Sequence, residues 1–233
     1  MRIYSGEQNI LTSLKPKILA MTSGTSGQSN MLPTTDQVSQ LFFQKGVLVI
    51  YDLLNKEYPN SSNLQKNLKL VCMPRFGKSP AGIPVGPNSS NPKDMARYDF
   101  MYSTPMPVYD ILTEPETIYL HLLFALSDRN LGMIEANFVH LVYIAMQHLK
   151  AKWPQLVSDI RLGKIDPDLD IEPGVRRQLQ KLMVANPQRA NELHVEFLKG
   201  FDGIIKRIWP RLYCILSVDT GAFSVAFANE FVF

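Results

Sequence analysis

The chain has 233 residues, of which 45% are hydrophobic and 19% are charged, values typical of a protein that buries a core. This composition excludes a disordered, collagen-like or coiled-coil protein. Twenty-four basic and 21 acidic residues leave a formal net charge of +3. That charge is too small, without a basic block, to indicate nucleic-acid binding. The length fits one large domain or two small ones.

Cysteine usage and apolar runs predict the compartment. Cys72 and Cys214 cannot form a disulfide framework and each lies in an apolar run, so we expect two small hydrophobic residues in a reducing environment. The run VLVIYDLL is interrupted by Asp52 and is shorter than the ~18–20 residues of a membrane span. The N-terminus lacks the apolar core of a signal peptide. We therefore expect a cytoplasmic protein without a membrane span.

The first half of the chain predicts a strand-like segment, a helix and a second strand. The apolar segment LKPKILAM, residues 14–21, leads into the small and polar run TSGTSGQSN, which predicts a loop. Thr35 is a candidate N-cap for a long amphipathic helix to about Glu57, because apolar residues recur at helical spacings. NLKLVCMP predicts a buried strand. Residues 75–107 contain six prolines and three glycines, which predicts a long irregular excursion near the substrate side.

The second half predicts helices that alternate with short strands. The sequence Thr113-Glu114-Pro115-Glu116 is typical of a capping box that opens a helix. LGMIEA predicts a short strand, after which Asn137 is a candidate cap for a long helix. Between Trp153 and Trp209 the pattern is helical and is interrupted at Gly163, Pro173, Pro187 and Gly200. RLYCILSV predicts a final strand, and the alternation indicates an α/β fold.

The strongest local signal of function is the run Thr22, Ser23, Gly24, Thr25, Ser26 and Gly27. Hydroxyls and glycines after an apolar segment let backbone N–H groups converge on an anion, and the hydroxyls add donors. The run is not a Walker A loop, because no Gly-Lys-Ser/Thr follows, and it is not a nucleophile elbow, because Gln28 stands two residues after Ser26. Spacing alone also allows a plain connecting loop.

Three other patterns favour a structural interpretation. Asp219-Thr220-Gly221 spells the aspartic-protease signature, but a protease needs two facing aspartates and the chain has one copy, so we interpret it as a turn. The histidines have no HExxH motif and no cysteine companion, which favours partly buried, hydrogen-bonded residues over metal ligands: His121, His140, His148 and His194. The basic residues of the helical region are interpreted as solvated helix faces: Lys150, Lys152, Arg176, Arg177, Lys206 and Arg207.

MTSGTSGQSNMLP resembles the first adenylating-loop motif of the Gretchen Hagen family, the plant auxin-responsive acyl acid amido synthetases with their bacterial and animal relatives. Three further stretches resemble family segments in the same order: residues 81–90, 118–165 and 208–223. Together they cover most of residues 15–230, and the likeness is closer to the animal and bacterial branches. The resemblance implies that residues 1–233 form part of the large N-terminal domain of an adenylate-forming enzyme, an α/β fold with helices packed on mixed sheets.

The resemblance also implies a reaction. ATP, with Mg²⁺, would activate a small carboxylic acid as an acyl-adenylate, and an amino acid would then capture the acyl group as an amide. Thr22, Ser23, Gly24, Thr25, Ser26 and Gly27 match the family motif residue by residue and would hold the β- and γ-phosphates. The superfamily loop often carries basic residues where this chain has Gln28, Ser29 and Asn30. The alternative is therefore a catalytically silent member that acts as a binding or scaffold module. Catalytic residues, the particular acid and amine, and the oligomeric state stay open.

The end of the chain has two features of a fragment. It stops at Phe233 in the apolar sequence NEFVF, without a polar tail or a helix stop signal. The family's later motifs, a tyrosine–Ser–Ser–Glu-like segment and a tyrosine–arginine–valine–Gly–Asp-like segment, are expected after the strand over residues 211–218, and the sequence ends before them. We therefore expect the C-terminal part of the adenylating domain and the lid domain to be absent, and this chain alone to be inactive.

Overall fold

The computed structural model describes residues 2–22, 29–59, 65–88 and 96–218, without the side chains of Arg97 and Tyr98. The chain divides into two compact units. Unit 1 consists of Met1–Ser62 and Pro74–Asn91, and unit 2 consists of Asn63–Met73 and Pro92–Phe233. The predicted irregular stretch is therefore shared between the units, and its described residues form short strands and 3-10 turns rather than a long regular element.

Unit 1 is built on a mixed sheet of four described strands. They are β1 (Ile18–Met21), β2 (Met31–Thr34), β4 (Gly77–Lys78) and β5 (Pro84–Gly86), in the spatial order β2-β1-β5-β4. β1 pairs antiparallel with β2 and parallel with β5, while β4 pairs antiparallel with β5. Leu19, at the centre of the sheet, is fully buried and packs with Ile3, Ile83 and Val85 in a small core.

A long helix follows β2 in unit 1. It begins as α1 (Asp36–Phe42), passes through a π-helical turn (Phe43–Val47) and ends as α2 (Leu48–Glu57). Thr35 is its N-cap as predicted, because its Oγ1 accepts a hydrogen bond from the Val38 N–H at 3.4 Å. The predicted end at Glu57 is also confirmed. However, none of the side chains described in this helix is buried.

Unit 2 contains a parallel sheet in the order β3-β6-β7 among its described strands. The strands are β3 (Asn67–Leu70), β6 (Met133–Phe138) and β7 (Cys214–Val218), which confirms the strands predicted at these positions. The register places Leu68 beside Ile134, and Ile134 beside Ile215. Lys69 and Glu135 form a cross-strand ion pair at 2.6 Å. With the mixed sheet of unit 1, this arrangement confirms the predicted α/β class.

Helices pack around this sheet and enclose the larger core. They are α3 (Glu114–Ser127), α4 (Val139–Leu162), α5 (Pro173–Gln180), α6 (Pro187–Leu198) and α7 (Ile204–Ile208), with 3-10 turns over Ala96–Met101 and Met106–Asp110. The predicted helix breaks are confirmed: Gly163 ends α4 in the left-handed conformation, with φ of 64°, and α5 and α6 begin at prolines. Trp209 is fully buried, and Trp153 stacks on Phe197, so both tryptophans are packing anchors.

Two predicted caps of unit 2 differ from the structure. Thr113 is the N-cap of α3, but its side chain makes no capping hydrogen bond, so the capping box is not formed. Its carbonyl instead accepts from the Thr117 hydroxyl at 2.7 Å. Asn137 lies inside β6, and Phe138 is the N-cap of α4. The reason is tertiary: Phe138 pairs with Val218 of β7, which extends the strand past the local cap signal.

Candidate functional site

The small and polar run after β1 connects the two strands of an antiparallel hairpin. The last regular pair joins Met21 of β1 to Met31 of β2. One residue further on, the Thr22 N–H donates to the Asn30 carbonyl at 3.0 Å, and the Asn30 N–H donates to Thr22 Oγ1 at 2.9 Å. Hydrogen bonds between Thr22 and Asn30 therefore join the two ends of the loop where it meets the sheet. The strand predicted before the loop is confirmed.

The structure places one of the six predicted phosphate-binding residues. Thr22 is half-buried at the end of β1, and its hydroxyl contacts Asn30. Ser23, Gly24, Thr25, Ser26 and Gly27 lie outside the described residues. Their assignment to a phosphate site stays a prediction.

A second segment with family resemblance, AGIPVGPNSS at residues 81–90, contributes the neighbouring strand. It contains β5, which pairs in parallel with β1 through Leu19 to Val85 and Ala20 to Gly86. Because parallel strands end at the same edge of a sheet, Thr22 and Pro87 follow their strands side by side. Ligands of α/β sheets bind outside the carboxyl ends of such strands. This edge of unit 1 is therefore the candidate site, assembled from strands whose paired residues are 66 positions apart in the sequence.

Close packing fixes β5 at this edge. A Cβ atom on Gly86 would lie 2.6 Å from the Phe76 ring, so any other residue here would force that ring to move. The turn before β5 is held by Ser79, whose Oγ accepts from the Ile83 N–H at 3.0 Å. The carbonyl of Ser79 accepts from the Gly82 N–H at 2.8 Å. The sequence marked these positions as glycine-rich but could not show which glycine is required by packing.

His121 is a buried structural residue of unit 2, as predicted, whereas the prediction of partial burial is wrong for His140 and His194, which are exposed. It is fully buried, with Nδ1 at 2.7 Å from Thr104 Oγ1 and Nε2 at 3.0 Å from the Val71 carbonyl. Because a carbonyl can only accept, Nε2 carries the proton and Nδ1 accepts from the Thr104 hydroxyl. Burial lowers the pKa of His121 to about 4, although the bond to Val71 opposes the shift. The ring is therefore neutral at pH 7.

Asp159 is a buried carboxylate that the sequence analysis missed. Its side chain accepts hydrogen bonds from the Tyr119 hydroxyl at 2.8 Å, the Asp166 N–H at 2.9 Å and Gln155 Nε2 at 3.0 Å. Burial raises the pKa of Asp159, while its hydrogen-bond donors hold it down. The signal available in the sequence was its spacing of three residues from Leu156, which places it beside the apolar face of α4. These bonds join α3, α4 and the loop after Gly163.

The prediction of solvated basic faces is wrong for part of the set. The Arg176 guanidinium donates to the Asp166 carbonyl at 2.8 Å and to the Leu169 carbonyl at 2.6 Å. Arg207 donates to the Glu196 carbonyl at 2.7 Å, and Lys206 donates to the Leu212 carbonyl. Chain segments near helix ends leave carbonyls without intrahelical donors, and long cationic side chains satisfy them. The exposed members agree with the prediction: Lys150, Lys152 and Arg177.

The remaining chemical groups do not form a site among the residues that the structure describes. Cys72 and Cys214 are free and half-buried, and burial raises the pKa of the Cys72 thiol to about 11, so it stays protonated. Within the described ranges, no group of three or more His, Cys, Asp or Glu side chains could hold a metal ion. No described helix is both long enough and apolar enough to cross a membrane. Asp219, Thr220 and Gly221 lie outside the described residues.

Comparison with known proteins decides the family. A family model described as the GH3 family N-terminal domain matches residues 1–229. The chain belongs to the GH3 family. This confirms the family that the loop motif and the three further stretches predicted. The family resemblance is therefore spread over nearly the whole chain.

Relatives in the GH3 family are about twice as long as this chain or longer. The jasmonoyl–L-amino acid synthetase GH3.3 of Oryza sativa subsp. japonica is 24% identical over 237 residues, which cover 95% of this chain and 50% of that protein. The indole-3-acetic acid-amido synthetase GH3.15 of Arabidopsis thaliana is 26% identical over 232 residues, which cover 94% of this chain and 38% of that protein. The chain thus spans half or less of the length of these relatives.

The fold agrees with a solved GH3 structure. The AtGH3.15 acyl acid amido synthetase in complex with 2,4-DB superposes with a TM-score of 0.82 at 24% sequence identity. The match covers 96% of this chain and 40% of that one. The α/β architecture described above is therefore that of the corresponding part of a GH3 enzyme.

Proposed function

We propose that this chain is the N-terminal part of an ATP-dependent acid–amino acid ligase that forms an amide C–N bond through an acyl-adenylate. Membership of the GH3 family supports this proposal, as do the amido synthetase names of its relatives. The observation that carries it is the edge of unit 1 where β1 and β5 end side by side, since both adjoining segments resemble family loops. The proposed substrates are ATP, a small carboxylic acid and an amino acid, and the proposed compartment is the cytoplasm.

The residue types at this edge fit a polyphosphate. Hydroxyl and backbone N–H groups donate to phosphate oxygens, and the run that follows Thr22 supplies both kinds of donor. ATP supplies the leaving group that activates the carboxylic acid. The role of this chain would be to hold and orient the β- and γ-phosphates through Ser23, Gly24, Thr25, Ser26 and Gly27. We assign no Mg²⁺ ligand, because no carboxylate cluster is present among the described residues.

Nucleotide affinity of loop variants in the full-length protein tests the proposal. Ser23→Ala and Thr25→Ala each remove one hydroxyl that would donate to phosphate. We expect each to weaken ATP binding by roughly ten- to a hundredfold, the size of a charge-assisted hydrogen bond. Asn30→Lys should strengthen binding because it adds a cation beside the triphosphate. Ser5→Ala, an exposed serine elsewhere in unit 1, is the matched control and should have no effect.

Two measurements separate the ligase from the binding or scaffold module. Isothermal titration calorimetry measures ATP affinity, and ATP–pyrophosphate exchange with a panel of carboxylic acids measures activation. A ligase requires both binding and exchange, whereas a silent member would bind without exchange. Unchanged affinity in Ser23→Ala, Thr25→Ala and Asn30→Lys would show that the run is a plain connecting loop.

A further inference from the structure

The hairpin between β1 and β2 ends on a mixed pair of hydrogen bonds. In a regular antiparallel pair, two facing residues exchange backbone N–H to carbonyl bonds in both directions. Here the Thr22 N–H donates to the Asn30 carbonyl at 3.0 Å, but the return bond runs from the Asn30 N–H to the Thr22 hydroxyl oxygen at 2.9 Å. The side chain of Thr22 thus takes the acceptor position that a backbone carbonyl would normally hold.

This contact gives Thr22 a structural role in addition to the one that its motif implies. Its hydroxyl oxygen accepts a hydrogen bond from the re-entering strand at the point where the chain leaves the sheet, while its O–H proton stays able to donate. We propose that Thr22 is a positioning residue, whose contribution to nucleotide binding comes from fastening the base of the loop. This inference rests on the proposed function for its effect on nucleotide binding, but the contact itself lies wholly within described residues.

The physical reason is loop closure. The seven residues from 23 to 29 must be held with their two ends together before their N–H groups can converge on an anion. The regular ladder ends at Met21 and Met31, so the Thr22–Asn30 bonds determine how far the closed base extends. A neutral hydrogen bond changes an equilibrium by roughly three- to tenfold. Removing this bond should therefore cost less nucleotide affinity than removing a direct phosphate contact.

Substitutions on both sides of the bond separate fastening from direct contact. Thr22→Val removes the hydroxyl and keeps the β-branched shape, while Thr22→Ser keeps the acceptor. Replacing Asn30 with its α-hydroxy acid analogue exchanges the backbone N–H for an ester oxygen, which removes the donor and leaves the Thr22 hydroxyl in place without adding bulk. We expect Thr22→Val and the Asn30 ester each to weaken ATP binding by roughly three- to tenfold. Thr22→Ser should bind ATP as the wild type does.

A double-mutant cycle gives the decisive comparison. If Thr22 acts through Asn30, the protein that carries both Thr22→Val and the Asn30 ester should bind ATP no more weakly than the weaker single variant, because both changes remove the same bond. If Thr22 contacts phosphate directly, the two losses multiply, and the proposal is overturned. Thr12→Val is the control, since the Thr12 hydroxyl contacts the Leu14 carbonyl elsewhere in unit 1 and its loss should not affect ATP binding.

Amide exchange of the Thr22 N–H tests the fastening without nucleotide. This N–H donates to the Asn30 carbonyl, so it reports closure of the loop base directly. We expect exchange in Thr22→Val to be roughly three- to tenfold faster than in the wild type and in Thr22→Ser. Equal exchange rates in all three proteins would overturn the inference. A wild-type protein that binds no ATP would instead refute the proposed function, while the exchange rates would still decide the role of Thr22.

Discussion

The two units use their apolar residues in different ways. In unit 2, a large continuous cluster of buried side chains includes Trp209, whose Nε1–H donates to the Ala125 carbonyl at 3.0 Å. In unit 1, the buried cluster consists of Ile3, Leu19, Ile83 and Val85. The long helix of unit 1 leaves large apolar side chains exposed, among them Phe42 at 66% and Leu53 at 59%.

This difference separates the region that holds the fold from the region that carries the candidate site. The candidate edge belongs to the unit with the smaller buried cluster, and it is organised by strand pairing and single hydrogen bonds such as those of Thr22. Unit 2 is organised by a large core and by buried polar side chains, among them His121 and Asp159. Because burial of apolar surface is the main stabilising contribution, substitutions in unit 2 should affect stability most.

The largest expected effect is on the core of unit 2. Trp209→Ala removes a fully buried indole together with its hydrogen bond to the Ala125 carbonyl. We expect the free energy of unfolding to fall by about 3–5 kcal/mol. Urea denaturation followed by tryptophan fluorescence measures it, because Trp153 remains in the variant and lies in the same unit.

A comparison substitution in unit 1 sharpens this result. Leu19→Ala removes the central side chain of the smaller core, and Trp153 fluorescence should be insensitive to it if the units unfold independently.

Trp209→Phe is the control for Trp209→Ala, because it keeps a ring in the cavity and should recover more than half of the lost stability. A decrease of less than about 1 kcal/mol in the free energy of unfolding of Trp209→Ala would show that Trp209 is not a main stabilising residue of the unit 2 core.

The second effect is the pH dependence of unit 2. The pKa of His121 falls from its ordinary 6.5 to about 4 in the folded chain, because the buried ring is held neutral. Between these values the unfolded chain binds a proton that the folded chain does not. Stability that is fully present above pH 6.5 is therefore lost as the pH falls towards 4, by about 3 kcal/mol in total. Urea denaturation between pH 7 and pH 4 measures this loss.

His121→Gln provides the comparison for this pH dependence. A glutamine amide can still donate to the Val71 carbonyl and accept from Thr104, but it does not titrate. The acid-side loss should therefore be smaller in the variant than in the wild type. Asp159 has the opposite effect on the pH dependence of stability, because its raised pKa means that the folded chain binds this proton at a higher pH than the unfolded chain does. This effect is the same in the wild type and in His121→Gln. Identical pH profiles for the two proteins would rule out His121 as the source.

The features predicted from the sequence are those with a local cause. Thr35 caps the long helix and the α5 helix begins at Pro173, because caps and prolines act within one turn. The order of helices and strands in unit 2 was predicted from hydrophobic periodicity, which is likewise a local property of the sequence. The glycine-rich run was recognised from residue type alone, and its place after a strand was predicted correctly.

The features that the sequence did not predict depend on contacts between distant residues. Pairing of β1 with β5 joins Leu19 to Val85, and no local pattern specifies that neighbour. Asn137 reads as a helix cap, but pairing of Phe138 with Val218 keeps it in a strand. Arg176 reads as solvated, yet it binds carbonyls of a loop that folds back onto α5. The hydroxyl of Thr22 likewise acquires its partner only when β2 returns beside β1.

The smallest expected effect is on the exposed face of the long helix in unit 1. Phe42 is 66% exposed, so Phe42→Ala removes little buried surface and should change the free energy of unfolding by no more than about 0.5 kcal/mol. Phe197 in unit 2 is 3% exposed, and Phe197→Ala should cost about 3–5 kcal/mol, which makes it the matched control. Amide exchange of α1 measures the first change and Trp153 fluorescence the second. A loss above about 1 kcal/mol in Phe42→Ala would mean that another surface covers this face in solution, and the contrast between the units would then be smaller than the structure indicates.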